Sequence, residues 1–326
     1  AGIPAVAGND INPLALLLSK VKTTPIDRFV LQNEYLELKN RLDALYTKYD
    51  FPIHFVDDYI EKNQSLDLTA KDGWGSDAPA YLNEFYQEYQ LDLKAPSFKN
   101  IGYWFRPRVI FELTLIKEAI RETENKDVRD FFYVAMSEII RLVSNRRNGE
   151  FKMFRMAPEK VAKFTPDTKQ EFVKVLERNI EKMGDFMDAY DYLSVAPQVT
   201  IYREDACKLP SVPMDTYDLI ITSPPYGDSR TTVAYGEYSR LSLQWLDLFD
   251  LSEKEIMGVD RALMGGQKFR NGFEYTVKSD ILRGILDKIK DVDLERAGDV
   301  FSFFNDLEQS IAAIAEKTKK DGYQFW

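Results

Sequence analysis

The sequence predicts an α/β protein in which strand signals at the two ends of the chain enclose a long block of helices. Two observations carry this prediction. Short strand-like runs occur at Pro4 to Gly8, Gln198 to Tyr202 and Leu219 to Ile221, whereas from Thr23 to about Ala196 apolar residues recur at helical spacing. The run Asp218-Leu-Ile-Ile-Thr-Ser-Pro-Pro-Tyr-Gly-Asp228 also stops abruptly at a Ser-Pro-Pro-Tyr turn. Three apolar residues are too few for a core helix, and their β-branched pair suits a buried strand of a parallel sheet. Pro224 and Pro225 remove two backbone donors and fix φ, so the strand must end there with Tyr226 held just outside the sheet. In open α/β sheets, ligands bind beyond the carboxyl ends of the strands.

With 326 residues and 44% hydrophobic content, the chain can bury a substantial core as one large domain or two ordinary ones. No apolar run approaches the roughly 18 to 20 residues that span a bilayer, so no membrane segment is predicted. No signal peptide is visible at Ala1-Gly-Ile-Pro4. The chain stops at Gly322-Tyr-Gln-Phe-Trp326, which reads as the start of a buried strand, and the two ends together predict a fragment cut at both. A single cysteine, Cys207, excludes an intrachain disulfide and a Cys-based zinc cluster, which fits a reducing, cytoplasmic setting. The single histidine, His54, lies among apolar neighbours and is assigned a packing or loop role, so triad and metal chemistries are disfavoured. A net charge of −10 argues against coating of nucleic acid by the whole surface but leaves room for a local basic face.

Taken in order, the strand Pro4 to Gly8 precedes Asn9-Asp-Ile-Asn-Pro13 and a helix from Leu14 to Val21, with Asn12 as N-cap and Pro13 at the first helical position. A carboxylate at a strand end, here Asp10, can accept hydrogen bonds from both hydroxyls of a ribose, or it can simply cap the helix. In the helical block, Arg28 to Tyr49, Arg108 to Ile120, Val128 to Val143 and Lys169 to Tyr190 carry the clearest periodicity. Prolines 52, 79, 96, 107, 158 and 166 fall near its helix boundaries. Gly73-Trp-Gly-Ser-Asp-Ala78 matches a nucleotide fingerprint in form, but no strand precedes it, and it reads as a loop. Ile101-Gly-Tyr-Trp-Phe-Arg-Pro-Arg108 is aromatic and basic, with Trp104 and Phe105 assigned to packing.

Between Arg141 and Lys163 seven basic residues stand against Glu150 and Glu159, interleaved with Phe151 and Phe154. Arg146, Arg147, Lys152 and Arg155 are therefore candidate phosphate contacts, against the alternative of a solvated helix face. After Pro197, the strand Gln198 to Tyr202 runs into Arg203-Glu-Asp-Ala206, which leaves Asp205 at a strand end as Asp10 is. Downstream, residues 227–236 form a polar loop containing Arg230, a further candidate contact. Helices are predicted from Glu237 to Phe249, Ser279 to Lys290 and Val300 to Lys320, with a glycine-rich connection at residues 265–272.

Three pieces in this order, Asn9-Asp-Ile-Asn-Pro-Leu-Ala15, Glu204-Asp-Ala-Cys-Lys-Leu-Pro210 and Asp218-Leu-Ile-Ile-Thr-Ser-Pro-Pro-Tyr-Gly227, resemble the S-adenosylmethionine-dependent DNA amino-methyltransferases. The third is the specific one; the match covers roughly the first 20 residues and about 197 to 230. The resemblance implies a Rossmann-like methyltransferase sheet interrupted by a large all-helical insertion. It divides the chain into residues 1–22, which begin the methyltransferase domain, the insertion 23–196, a candidate DNA recognition element or clamp, and 197–326, the remainder of the domain. It further implies S-adenosyl-L-methionine as cofactor, with Asp10 on its ribose and Asp205 on its adenine. Ser223, Pro224, Pro225 and Tyr226 would meet a flipped base of double-stranded DNA, within a system that can include a cognate restriction endonuclease.

The chemistry of these residues agrees with that implication. An exocyclic amine is a poor nucleophile because its lone pair is delocalised into the ring. Acceptors at the Ser223 hydroxyl and the Pro224 carbonyl can take its two hydrogens and aim a more pyramidal nitrogen at a methyl donor. Tyr226 offers a flat face to a base extruded from the duplex. Methylation at a ring carbon would need an attacking thiolate after a proline, and Cys207 follows Ala206. In the family a serine at the first motif position is commoner in cytosine-N4 enzymes than in adenine-N6 enzymes, which favours cytosine.

One departure stands out. The family's glycine-rich cofactor loop, of the form Asp/Asn-Pro-Phe-x-Gly-x-Gly, does not occur here, and the motif order predicts it immediately before Ala1. Two other readings stay open: an RNA guanine-N2 methyltransferase, whose motif more often reads Asp-Pro-Pro-Tyr, and a non-catalytic nucleic-acid-binding module that retains the fold.

Overall fold

A computed structural model describes residues 5–150, 152–225, 235–266 and 276–326. Strand β1 (Ala5–Asn9) leads into helix α1 (Pro13–Thr23). A helical run follows: α2 (Arg28–Lys48), α3 (Asp50–Asn63), α4 (Ala78–Glu88), the single turn α5 (Ile101–Trp104), α6 (Pro107–Arg121), α7 (Lys126–Leu142), α8 (Pro158–Lys163) and α9 (Thr168–Asp191). Strands β2 (Gln198–Tyr202) and β3 (Tyr217–Ile221) come next, then α10 (Tyr235–Leu246), α11 (Glu253–Ala262), α12 (Asp280–Lys290), α13 (Leu294–Lys317) and β4 (Thr318–Phe325). The chain divides into two compact units. The described part of the first is Leu17–Pro197 with Leu241–Leu248; the second is Ala5–Leu16, Gln198–Arg240 and Phe249–Trp326.

The first unit is helical. The four helices that periodicity predicts form with ends within two residues of the expectation. Local chemistry sets their starts: Asp27 accepts hydrogen bonds from the Phe29 and Val30 amides, Asn125 from Asp127 and Val128, Asp167 from Gln170, and Pro107 occupies a first-turn position where no donor is needed. Helix α6 is the centre of the unit. Its Ile110, Phe111, Leu113, Leu115 and Ile116 are fully buried, because α2, α3, α7 and α9 all pack against it. Phe105, just before α6, meets the buried Trp245 ring edge-to-face at 5.7 Å. His54 departs from the expectation: it lies on α3, exposed, 3.7 Å from Asp50 one turn earlier, because Pro52 falls in the first turn of a helix and not in a loop.

Residues 73–78 form a packing loop. The Trp74 indole is buried and donates to the Phe105 carbonyl at 2.7 Å, while Gly73 adopts φ +72° with backbone directly beside it. A Cβ on Gly73 would stand 2.4 Å from the Gly102 carbonyl oxygen. Gly73→Ala is therefore expected to destabilise the protein by about 2–4 kcal/mol, from the strained φ together with the forced backbone shift. Gly75→Ala, where the nearest atom would be 4.0 Å away, should lose only about 1–2 kcal/mol. Denaturant unfolding of the two variants checks this; equal losses would contradict it.

The second unit holds four strands in two parallel pairs among the described residues. β1 pairs with β2 from Ala5 opposite Gln198 to Asn9 opposite Tyr202. β3 pairs with β4, Leu219 to Ile221 lying opposite Tyr323 to Phe325. The register breaks between Tyr217 and Leu219, and there Gly322 fits because a Cβ would lie 3.0 Å from the Tyr217 carbonyl. One face of β3 packs on α13: Tyr217 and Ile220 join Leu209, Val212, Ala313 and Ile314. The other face differs from the expected buried strand. Leu219 and Ile221 are 51% and 74% exposed, and Tyr323 and Phe325 on β4, with Trp326 just after it, are open as well. The β-branched run made the strand, but described residues cover only one of its faces. The structure is thus a mixed helix and strand protein with small parallel sheets, not a single continuous sheet among the described residues. Helix α11 went unpredicted, although Ser252 and Glu255 complete a capping box at its start. No helix among the described residues is long and apolar enough to cross a membrane.

Candidate active site

Parallel strands end on the same side, and the second unit collects its chemistry there. Beyond β1, the Asp10 amide donates to the Tyr202 carbonyl at 3.3 Å, which continues the ladder by one residue. One Asp10 oxygen, Oδ1, accepts from the Asn12 amide at 2.8 Å. Asp205 repeats the arrangement after β2, its Oδ1 accepting from the Cys207 amide at 3.0 Å. Each carboxylate is thus oriented by a turn that uses one oxygen, and both are half-buried. Helix capping falls to Asn12, whose Oδ1 accepts from the Leu14 amide at 3.1 Å while its Nδ2 donates to the Ser239 hydroxyl at 3.2 Å. The local reason for Asp10 is therefore the turn before the helix, not the cap itself.

Asn9 locks the two strand ends together. Its amide nitrogen donates to the Glu204 carbonyl at 3.1 Å, and its oxygen accepts from the Glu204 amide at 3.0 Å. Glu204 in turn accepts from the Ser211 amide at 3.1 Å. At the end of β3, the Thr222 amide donates to the Phe325 carbonyl at 2.9 Å and carries the pairing to the edge of the Ser-Pro-Pro turn. Ser223 is exposed there, and Pro224 and Pro225 are half-buried.

A cavity of about 600 Å³ opens between these ends. Asn9, Asp10, Ile11 and Asn12 line it from β1, Glu204 to Cys207 from β2, and Ser223 with Pro225 from β3. Arg261 to Met264 at the end of α11, Tyr235, and Asp306 with Ser310 on α13 complete the wall. That volume lies within the usual range for small-molecule sites. The wall mixes acceptors with apolar patches at Ile11, Ala206, Leu263 and Met264, which suits a nucleoside: a planar apolar body with a diol and an amine at its edges. Sequence reasoning brought Asp10, Asp205, Ser223 and Pro225 to this cavity but missed Asn9, Arg261, Asp306 and Ser310. Asn9 carried a signal, a polar residue closing a strand beside Asp10; the others come from helices distant in sequence. Tyr226 and Arg230 lie outside the described residues.

Cys207 sits on this wall with its sulfur 3.4 Å from the Ser310 hydroxyl and from the Asp306 carbonyl. Burial pushes its thiol up to about 11, against the smaller opposing effect of the Ser310 hydroxyl. Since the folded pKa lies above the ordinary 9.0, the stability this group contributes is present below about pH 9 and is lost as the pH rises towards 11. Alkylation of the folded protein is accordingly expected to stay slow at pH 8 to 9 and to rise only near pH 11, with the unfolded chain reacting some two units lower. Rapid alkylation of the folded protein at pH 8 would contradict this. Among the described residues, no group of three or more His, Cys, Asp or Glu side chains could hold a metal ion.

The basic stretch lies in the helical unit, where its members divide. Arg146 and Arg155 are 2% and 8% exposed and form an antiparallel bridge. The Arg155 guanidinium donates to the carbonyls of Tyr103 and Ala70, each at 2.8 Å, and Arg146 donates to the Glu150 carbonyl. Their charges hold this loop together. Arg147 is exposed, 3.4 Å from Glu150, and Lys152 is half-buried.

No family model matches the chain, and no solved structure matches it. The chain spans 64% of the length of a curated relative, the Type II methyltransferase M.MvaI of Kocuria varians. Over an alignment of 331 residues that takes in 98% of this chain, it is 36% identical to that methyltransferase.

Proposed function

We propose that this chain carries the catalytic turn and part of the cofactor site of an S-adenosylmethionine-dependent DNA methyltransferase acting on an exocyclic base amine, cytosine N4 in preference to adenine N6. One observation carries the reading: the Ser223-Pro225 edge and the carboxylates Asp10 and Asp205, far apart in sequence, line one cavity. The similarity to a Type II methyltransferase over nearly the whole chain supports it. A Rossmann-like arrangement of the strands is part of the same proposal, supported by the parallel pairing of β1 with β2 and of β3 with β4.

The residues present fit the nucleoside end of the cofactor. Asp10 would accept from the ribose hydroxyls, Asp205 from the adenine amine, and Ile11, Ala206, Leu263 and Met264 would enclose the apolar faces. When bound, the cofactor supplies an electrophilic methyl group on a sulfonium. The chain's own contribution is to the nucleophile. The Ser223 hydroxyl and the Pro224 carbonyl accept the two amine hydrogens, the prolines hold that carbonyl in place, and Tyr226 stacks on the flipped base. The proton lost from the amine leaves through these acceptors to solvent. No thiolate takes part, in keeping with the raised pKa of Cys207. We assign the helical unit to DNA recognition or clamping, with the exposed Arg147 and Lys152 on phosphates and Arg146 and Arg155 in support; Arg230 is a further proposed contact. A cognate restriction endonuclease is a proposed partner of the whole system.

Transfer of a labelled methyl group from the cofactor to duplex DNA tests the reading. Incorporation into DNA is expected; label that enters RNA alone, or cofactor binding that cannot be detected, would overturn it.

A further inference from the structure

Residues 145–150 and 152–156 form a hairpin that the helical unit holds at an energetic cost. Asn145 donates its amide to the Trp104 carbonyl at 2.7 Å, Met156 to the Asn145 carbonyl at 2.7 Å, and Arg147 to the Phe154 carbonyl at 2.8 Å. Beneath this ladder lie buried polar atoms. Both polar atoms of the Asn145 side chain, Arg146 Nε and Arg155 Nη2 have no hydrogen-bond partner among the described residues, and Asn145 is 1% exposed. Burial holds the guanidinium pKa values of Arg141, Arg146 and Arg155 down, and the like charge of Arg146 adds to the effect at Arg141. The attraction of Arg141 to Glu138, and of Arg146 to Glu150, is too small to offset that burial.

The outer side of the hairpin explains why such a rigid base is kept. Arg147 projects over the Phe154 ring, 5.9 Å from its centroid, and Phe154 is 47% exposed. Lys152, half-buried, accepts at its carbonyl from the Phe154 amide at 3.1 Å. A cation stacked on an open aromatic ring matches the recurring unit of a nucleic acid, a planar base or sugar next to a phosphate. Single exposed aromatic rings are ordinary on protein surfaces. One that carries a cation over its face, on a hairpin held by buried arginines, is not.

We propose that this hairpin is a DNA-contacting finger in which Arg147 and Lys152 engage phosphates and Phe154 packs against a base or sugar exposed by local opening of the duplex. Arg146 and Arg155 hold the finger and do not touch DNA. The proposal rests on DNA being the substrate. Binding to a labelled duplex, followed by fluorescence anisotropy between about 50 and 200 mM salt, tests it on the protein and on two surface variants. Arg147→Ala is expected to lower the slope of log affinity against log salt by about 1, and Phe154→Ala to weaken binding about tenfold with the slope unchanged. Phe154→Tyr should restore the affinity. Wild-type affinity and slope in both alanine variants, in a protein that still methylates DNA, would overturn the finger and leave the methyltransferase reading standing. A wild-type protein that neither binds nor methylates DNA would overturn both.

Discussion

Tyr226→Ala is expected to lower methyl transfer to duplex DNA about a hundredfold while leaving cofactor affinity close to wild type. Two consecutive prolines after Ser223 fix φ and cannot donate hydrogen bonds, so the strand ends there and an aromatic residue follows in the sequence. Ser223 and Pro225 line the cavity, and Tyr226 follows them directly in the sequence. Stacking of a base on an aromatic side chain contributes about 1–3 kcal/mol, and loss of orientation at the reacting nitrogen lowers the rate further. Tyr226→Phe keeps the ring and should keep most of the rate. Single-turnover kinetics at saturating cofactor separate the two; near-normal transfer by the alanine variant would remove the stacking assignment.

Asp10→Asn carries the second large effect, on the cofactor rather than on the base. Asparagine retains the oxygen that accepts from the Asn12 amide at 2.8 Å, so the turn should survive and only the charge should go. A hydrogen bond to a charged acceptor contributes about 1.5–3 kcal/mol, so the dissociation constant is expected to rise about 10- to 100-fold. Asp205→Asn, with the same Cys207 turn, should weaken binding by the smaller share of a single contact, about tenfold. Calorimetric titration with the cofactor reads both. Unchanged affinity in Asp10→Asn would move the ribose contact elsewhere in the cavity.

Much of this site was legible in the sequence because its parts are local. A proline pair ends a strand wherever it falls, and an acidic residue just past a strand is positioned by its own turn; Asp10, Asp205, Ser223 and Pro225 needed no tertiary information to be picked out. The long helices were legible for the same reason, since a 3.6-residue apolar period and an N-cap such as Asp27 are written in consecutive residues. What was not legible depends on packing between distant segments. Arg146 and Arg155 look like free cations in a basic run, yet their partners are carbonyls of Glu150, Tyr103 and Ala70, and nothing in the run announces that. Asp306 and Ser310 reach the cavity because α13, on which they lie, packs against β3 through Ala313 and Ile314. The exposed Leu219 and Ile221 show the converse limit: an apolar strand declares that it can be buried, not which of its faces the chain covers. The capping box at Ser252, in contrast, was readable in four consecutive residues and went unused.

The Ser-Pro-Pro-Tyr turn was the most specific mark in the sequence, and the structure sharpens its setting by joining its edge to two carboxylates around one cavity. The central claim is that this edge presents an exocyclic base amine to a methyl donor. Hydrolysis of duplex DNA after transfer of a labelled methyl group, followed by chromatographic identification of the labelled nucleoside, tests it most directly. The account predicts label in N4-methylcytosine. Label in N6-methyladenine would keep the amine chemistry and overturn the choice of base, whereas label in 5-methylcytosine or in no nucleoside at all would contradict the claim itself.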